Sequence, residues 1–128
     1  MRILALDFGA ARTGVAVCDE TETLATPLTV VEQAAADEGI AAIGDLARRQ
    51  GVGLVVVGLP VSLDAREHRQ ARATRDFVKR LSGRLEVPVV TYDERFTTKV
   101  ARERGGKGAI DARAAALILE DYLRARSR

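Results

Sequence analysis

The chain of 128 residues has one cysteine, one histidine, three prolines and no tryptophan, and each scarcity removes a class of protein. A lone Cys18 can form neither an intramolecular disulfide nor a cysteine-based metal site, and it alternates with Ala16 as a small buried hydrophobe would. A lone His68, flanked by Glu67 and Arg69, cannot build a multi-histidine centre and reads as a solvated surface residue. Aromatic residues make up 4% of the chain, so stacking on splayed bases is not the expected way of holding a nucleic acid. No apolar run reaches the roughly 20 residues of a membrane span. Met1 leads straight into Arg-Ile-Leu-Ala-Leu-Asp, without the layout of a signal peptide. The expectation is a cytoplasmic protein with no membrane partner. Gly-x-Ser-x-Gly, P-loop and Ser/His/Asp patterns are missing, as are repeats, low-complexity segments and linkers.

What is present is an ordinary globular balance, 47% apolar and 30% charged, on a chain of the length of one domain, expected to span residues 1–128. The net charge of +2 hides an uneven distribution. Residues 1–45 carry two basic and eight acidic groups, whereas residues 46–128 carry eighteen basic and ten acidic, an excess of +8. A field this lopsided favours a polyanionic partner, although arginine-rich helices also serve simply as solvated faces.

Residues 2–7 read as a strand ending in an acid, residues 8–13 as a turn and residues 14–18 as a second strand, together an antiparallel hairpin. Residues 24–31 are a third strand, which Pro27 places at an edge or a bulge. From residue 34 to 50 the period changes to helical, with Ile40, Ile43, Leu46 and Ala47 on one side, and Gly51 and Gly53 stop the helix. Residues 54–57 form an uninterrupted apolar run, the mark of a strand covered on both faces. A helix over 66–82, a strand over 87–92, a short helix from Thr97 or Thr98 to about 104, and a last helix over 110–126 complete the order. A leading meander followed by alternation predicts an α/β fold, a mixed sheet with helices on its faces.

Three acids stand where such a sheet would place a site. Asp7 ends the first strand, Glu94 follows the fifth, and Asp111 opens the last helix at the head of a face made by Ala115, Ile118, Leu119 and Tyr122. Carboxylates forced together repel, and divalent cations such as Mg²⁺ or Mn²⁺ relieve that repulsion while leaving positions open for water and phosphate. Each acid also has a plain structural role open to it, a turn residue or a helix N-cap. Asp93 rivals Glu94, because adjacent strand residues point to opposite faces and only one of them looks into the cluster. In the turn, Gly9 permits a tight path and Arg12 can hold a phosphate. Arg66, Arg69, Arg72 and Arg75 recur at three-residue steps and spread into a broad basic face.

Four blocks together resemble the YqgF family, also called RuvX-like: Leu6-Asp7-Phe8-Gly9 through Arg12-Thr13-Gly14-Val15-Ala16; Val56-Val57-Gly58-Leu59-Pro60; Asp93-Glu94-Arg95-Phe96-Thr97-Thr98; and Ile110-Asp111 with Ala114-Ala115 and Ile118-Leu119. The similarity runs from Ile3 to about Tyr122. It implies an RNase H-like fold with a five-stranded mixed sheet, a three-stranded antiparallel meander plus two parallel strands, and helices on both faces. It implies that Asp7, Glu94 and Asp111 are the catalytic, metal-binding acids, which favours Glu94 over Asp93. The implied activity is phosphodiester hydrolysis by a nuclease of the two-metal-ion type, with 5′-end processing of pre-16S rRNA in ribosome biogenesis as its leading role. Resolution of Holliday junctions or other DNA repair cleavage is the alternative, and a non-catalytic ribosome-assembly factor is the alternative of another class. Expected partners are pre-rRNA, single-stranded or branched DNA and ribosomal precursor particles, met by a monomer or weak homodimer. Arg12, Arg69, Arg72, Arg95 and Lys99 are the candidate nucleic-acid contacts. The chain departs from the family pattern at Ala65, where a glycine is expected, and in the short segment Lys99–Ile110, which bears on substrate grip and choice.

Overall fold

The first apolar run folds as β1 (Ile3–Asp7) and turns back as β2 (Arg12–Cys18), followed by β3 (Ala25–Glu32). Helix α1 (Asp37–Gln50) leads to β4 (Leu54–Leu59), helix α2 (Ala65–Arg84) to β5 (Val89–Asp93), and helix α3 (Lys107–Arg126) follows. This computed structural model describes residues 1–60, 65–93 and 107–127, with the side chains of 65–67 and 107–111 excepted. The expected short helix near 97–104 lies outside the described residues.

The five strands form one sheet in the order β3-β2-β1-β4-β5. The pairs β1–β2 and β2–β3 are antiparallel, whereas β1–β4 and β4–β5 are parallel. The expected meander plus two parallel strands is therefore present. Pro27 meets both conditions set for it. β3 is an edge strand, and its register shifts where Thr29 pairs with Val15 but Pro27 pairs with Ala16, leaving Leu28 as the extra residue of a bulge.

Strand alternation divides the core between two faces. Leu4, Leu6, Val15, Val17, Val55 and Val57 pack with α1 and α2 through Ile40, Ile43, Phe77 and Leu81. Ile3, Ala5, Ala16, Cys18, Leu54 and Val56 pack under α3 through Ala115, Ala116, Leu119 and Leu123. Both faces being covered explains why β4 carries no polar side chain and has three consecutive valines, Val55–Val57. Cys18 is buried, and burial pushes its thiol above the usual range.

Element ends differ from the expected ones by a few residues, each for a visible reason. β2 starts at Arg12 rather than Gly14 because Arg12 and Thr13 pair with Glu32 and Val31 of β3. α1 starts at Asp37, with Asp37 and Glu38 in its first turn and Arg48 and Arg49 in its last, complementing the helix dipole. Gly51 ends it in the left-handed conformation (φ 63°), its N–H donating to the carbonyls of Ala47 and Arg48. α3 begins at Lys107 rather than 110, running through Gly108, so Asp111 is its fifth residue. The first turn of α3 holds no acid.

The loop between β2 and β3 is organised by Asp19. Its carboxylate accepts from the backbone N–H groups of Thr23 and Leu24, each at 2.9 Å, and from the hydroxyls of Thr21 and Thr23. These bonds favour the charged form and hold the carboxyl well below the usual aspartate range. A carboxylate depressed in the folded state stabilises it fully above the unfolded value of roughly 3.9, and that contribution disappears as pH falls through the lower folded value. Asp19→Asn is therefore expected to be less stable than the parent at pH 6, with the gap closing progressively below about pH 4. Urea unfolding at several pH values measures it; a gap that stays constant into strong acid contradicts the assignment. Phe77→Ala, at a fully buried position, is expected to cost about 3–5 kcal/mol in the same assay.

Candidate functional site

Because β1, β4 and β5 run parallel, their carboxyl ends share one edge of the sheet, the edge at which open α/β sheets hold their ligands. Asp7 is the last residue of β1 and is half-buried there. It follows Ile3 and Ala5 by steps of two, which places it on the face covered by α3. Its antiparallel partner on β2 is Gly14. On the other side, Leu6 pairs with Val57, so the next rung brings Gly58 of β4 beside Asp7. Both same-face neighbours of Asp7 on the adjacent strands thus lack side chains.

One strand further, Gly58 pairs with Tyr92 and Leu59 with Asp93. Val90 and Tyr92 belong to the α3 face, where Tyr92 meets Tyr122 edge-on at 5.6 Å between ring centres. Asp93, one residue later, therefore falls on the opposite face from Asp7. Alternation, together with the face that α3 covers, thus separates Asp93 from the first acid. Glu94 lies outside the described residues, as do Arg95 and Lys99. Asp111 sits in α3 four residues before Ala115 and eight before Leu119, both buried against the sheet. It does not open the helix, contrary to the sequence pattern, because the helix tolerates Gly108 and begins a turn earlier. The N-cap role that would have explained this acid without chemistry is thereby removed. Among the described residues no group of three potential ligands converges, and Asp7 is the one of the three acids whose side chain is described.

The turn after Asp7 is built to hold it still. Phe8 stacks on Phe77 of α2 with ring centres 4.3 Å apart. Gln70 of α2 donates from Nε2 to the Phe8 carbonyl at 3.1 Å. The Gly9 N–H points to the buried Thr13 hydroxyl at 3.4 Å, and a side chain at Gly9 would run into the Arg12 carbonyl oxygen. The sequence alone does not mark Gln70, Gly14 or Gly58, since their roles arise only from pairing across elements. Arg12 is half-buried at the start of β2, and Arg69 and Arg72 are exposed on α2. Those two arginines lie in the layer opposite α3, so the sheet stands between them and the face of Asp7. His68 is exposed on the same helix, as expected.

The family model described as RuvX, Holliday junction resolvase, matches residues 1–125. The chain belongs to the RuvX family. A relative from Thermus thermophilus, named "Putative pre-16S rRNA nuclease", is 42% identical over 96% of this chain and 97% of its own length. A protein of the same name from Syntrophus aciditrophicus is 39% identical over all of this chain and 91% of its own. Among solved structures, T. thermophilus RuvC in complex with a Holliday junction substrate superimposes with a TM-score of 0.64 at 18% identity, over 99% of this chain and 96% of that one. Fowlpox virus resolvase with Holliday junction DNA matches at 0.53 and 10% identity, each chain covered in full. At these identities the likeness is one of fold, and it bears out the RNase H-like α/β architecture implied by the RuvX resemblance.

The tight turn generates a test of its own. Gly9→Ala is expected to destabilise the chain by about 1–3 kcal/mol, the usual cost of forcing a side chain into filled space. Urea unfolding checks it, and a variant as stable as the parent would show that the turn relaxes freely.

Proposed function

We propose that this RuvX protein is a cytoplasmic, divalent-metal-dependent nuclease that hydrolyses nucleic-acid phosphodiesters, with pre-16S rRNA as its substrate. The observation that carries the reading is the seat of Asp7: a half-buried carboxylate with glycine on each side, at the shared carboxyl edge of three parallel strands, on the face of α3. Asp93 lies on the face opposite Asp7, so we take Glu94, the acid that the RuvX resemblance implies, as the second. The register of α3 puts position 111 in line with Ala115 and Leu119, which supports Asp111 as the third.

The donor chemistry fits a hard cation. The lone histidine is exposed on α2 and the lone cysteine is buried at the far end of β2, so the available ligands are carboxylate oxygens, suited to Mg²⁺ or Mn²⁺ rather than to a thiolate-seeking metal. Asp7, Glu94 and Asp111 would hold the metals, which when bound supply an activated water and charge stabilisation for the phosphoryl centre in the two-metal manner. The remaining work belongs to the chain. Arg12 offers its guanidinium to a phosphate oxygen beside Asp7, and the Phe8–Phe77 stack keeps the turn from yielding as substrate enters. Arg69 and Arg72 supply positive charge to the flanking backbone. The RuvX model's own description, Holliday junction resolvase, favours a second reading in which the same site cuts branched DNA. Two-fold symmetry of that substrate would then require a dimer with two sites.

Labelled RNA, single-stranded DNA and a four-way junction, each incubated with Mg²⁺, Mn²⁺ or EDTA, test the proposal. RNA cleavage that needs metal is expected. Asp7→Asn keeps the shape but removes a ligand charge, and it is expected to lower the rate by more than about a hundredfold. It should leave RNA binding intact or stronger and raise the melting temperature slightly without metal, because repulsion among the acids is relieved. Cleavage by Asp7→Asn at the parent rate would remove Asp7 from the site.

A further inference from the structure

The positive charge of the described surface is concentrated on one element. α1 opens with Asp37 and Glu38, and the loop before β3 carries Asp19, Glu20 and Glu22. α3 mixes Arg113, Arg124 and Arg126 with Glu120 and Asp121. On α2, in contrast, Arg69, Arg72, Arg75 and Lys79 are all exposed, with Asp76 the single acid among them. At about 100° per residue these four cations fall within a sector of about 120°. That sector lies opposite the buried residues Thr74, Phe77 and Leu81, so it faces solvent squarely.

The stripe has a defined beginning and end. It begins at Arg69, whose neighbour Gln70 is bonded to the carbonyl of Phe8, the residue after Asp7. It ends at Arg80, which turns away to the start of α1, where it bonds the carbonyl of Ala35 just before the helix and pairs with Asp37 at 2.8 Å. Between Arg69 and Lys79 the helix rises by roughly 15 Å, enough to follow about four phosphates of one strand at their duplex spacing of about 3.4 Å. Between these two ends the sector exposes no aromatic ring and no side-chain amide, so it has phosphate-binding groups without a platform for reading bases.

We infer that the outer face of α2 is a phosphate track which holds the flank of the substrate strand several nucleotides from the bond cut at Asp7, on the other side of the sheet edge and without regard to sequence. The inference rests on the nuclease reading for the meaning of the cut, but the track itself is a binding property. A strand engaged at Asp7 crosses the edge over the turn at Phe8–Ala11 and continues along Arg69, Arg72, Arg75 and Lys79. The stack and the hydrogen bond that fix α2 to the turn give track and site a constant separation.

The experiment measures binding in EDTA, so that it does not depend on turnover. Fluorescence anisotropy gives the affinity of the full chain for a labelled oligonucleotide of 4 nucleotides and another of 12, each made as RNA in two unrelated sequences. The long oligonucleotide is expected to bind more tightly, with no preference between sequences. Arg75→Gln/Lys79→Gln is expected to lose about tenfold in affinity for it, to lower the long-to-short ratio, and to reduce the log–log salt slope by about two. Arg113→Gln, an exposed cation on the α3 layer, is expected to keep the ratio. Circular dichroism melting confirms that both variants fold. A double variant that keeps the parent ratio and salt slope overturns the track, and so does an equal loss in Arg113→Gln, which would mean diffuse attraction. If the parent cleaves nothing yet the ratio behaves as expected, the nuclease reading fails and the track stands. If metal-dependent cleavage is seen but the double variant leaves the ratio unchanged, the track fails and the nuclease reading stands.

Discussion

The position of the site depends on the hydrophobic burial of β1. Ile3 and Ala5 are buried under α3, and Leu4 and Leu6 are buried under α1 and α2, with none of the four exposed to solvent. A one-residue slip of the strand would exchange the two faces and misplace every one of these side chains. Both faces are covered, so a slip would cost the fitted packing of these side chains and would carry Arg2 or Asp7 into a fully buried position, where an unpaired charge is expensive. Asp7 inherits its place from that register. An acid at a sheet edge needs no electrostatic reason to stand there when the apolar residues behind it leave the strand no other alignment.

The same alternation explains the turn. Phe8 is the next residue, so it departs towards the opposite layer, where Phe77 of α2 receives it in a stack. Two consecutive residues thus serve opposite sides of the sheet, one turned to the α3 face and one anchoring the loop to α2. The anchor shows how the loop beside Asp7 can be held without a disulfide or a proline. It also makes α2 part of the site's geometry although its own side chains lie across the sheet from Asp7.

What was legible in the sequence was whatever depends on local period. The unbroken Leu54–Val57 run, the helical spacing of Ile40, Ile43 and Ala47, and the edge position of a strand containing Pro27 all appear in the fold. What was not legible depends on which elements meet. The glycines beside Asp7 lie on two other strands, and Gln70 reaches Phe8 from 62 residues away. The side of Asp93 is decided only when α3 is known to cover the face of Val90 and Tyr92. The start of α3 was displaced for a different reason. The sequence pattern starts the last helix at residue 110, but a helix accepts a single glycine, here Gly108, for about 1 kcal/mol when packing further along it supplies more.

The proposed carboxylate site would account for the separation of charge between the layers. A guanidinium packed directly against such acids would pair with them and compete with the cation they hold. Cations that must attract a polyanion are therefore best placed out of direct contact with the acids, yet close enough to act on the same strand. A sheet with a helix on each face offers that arrangement, since packed layers stand about 10 Å apart. The Debye length at physiological ionic strength is about 8 Å, so charges on opposite layers are largely screened from one another through solvent. Asp7 at the carboxyl end of β1 and the cations on the outside of α2 can then keep opposite potentials within one small molecule. A phosphate chain is long enough to meet both.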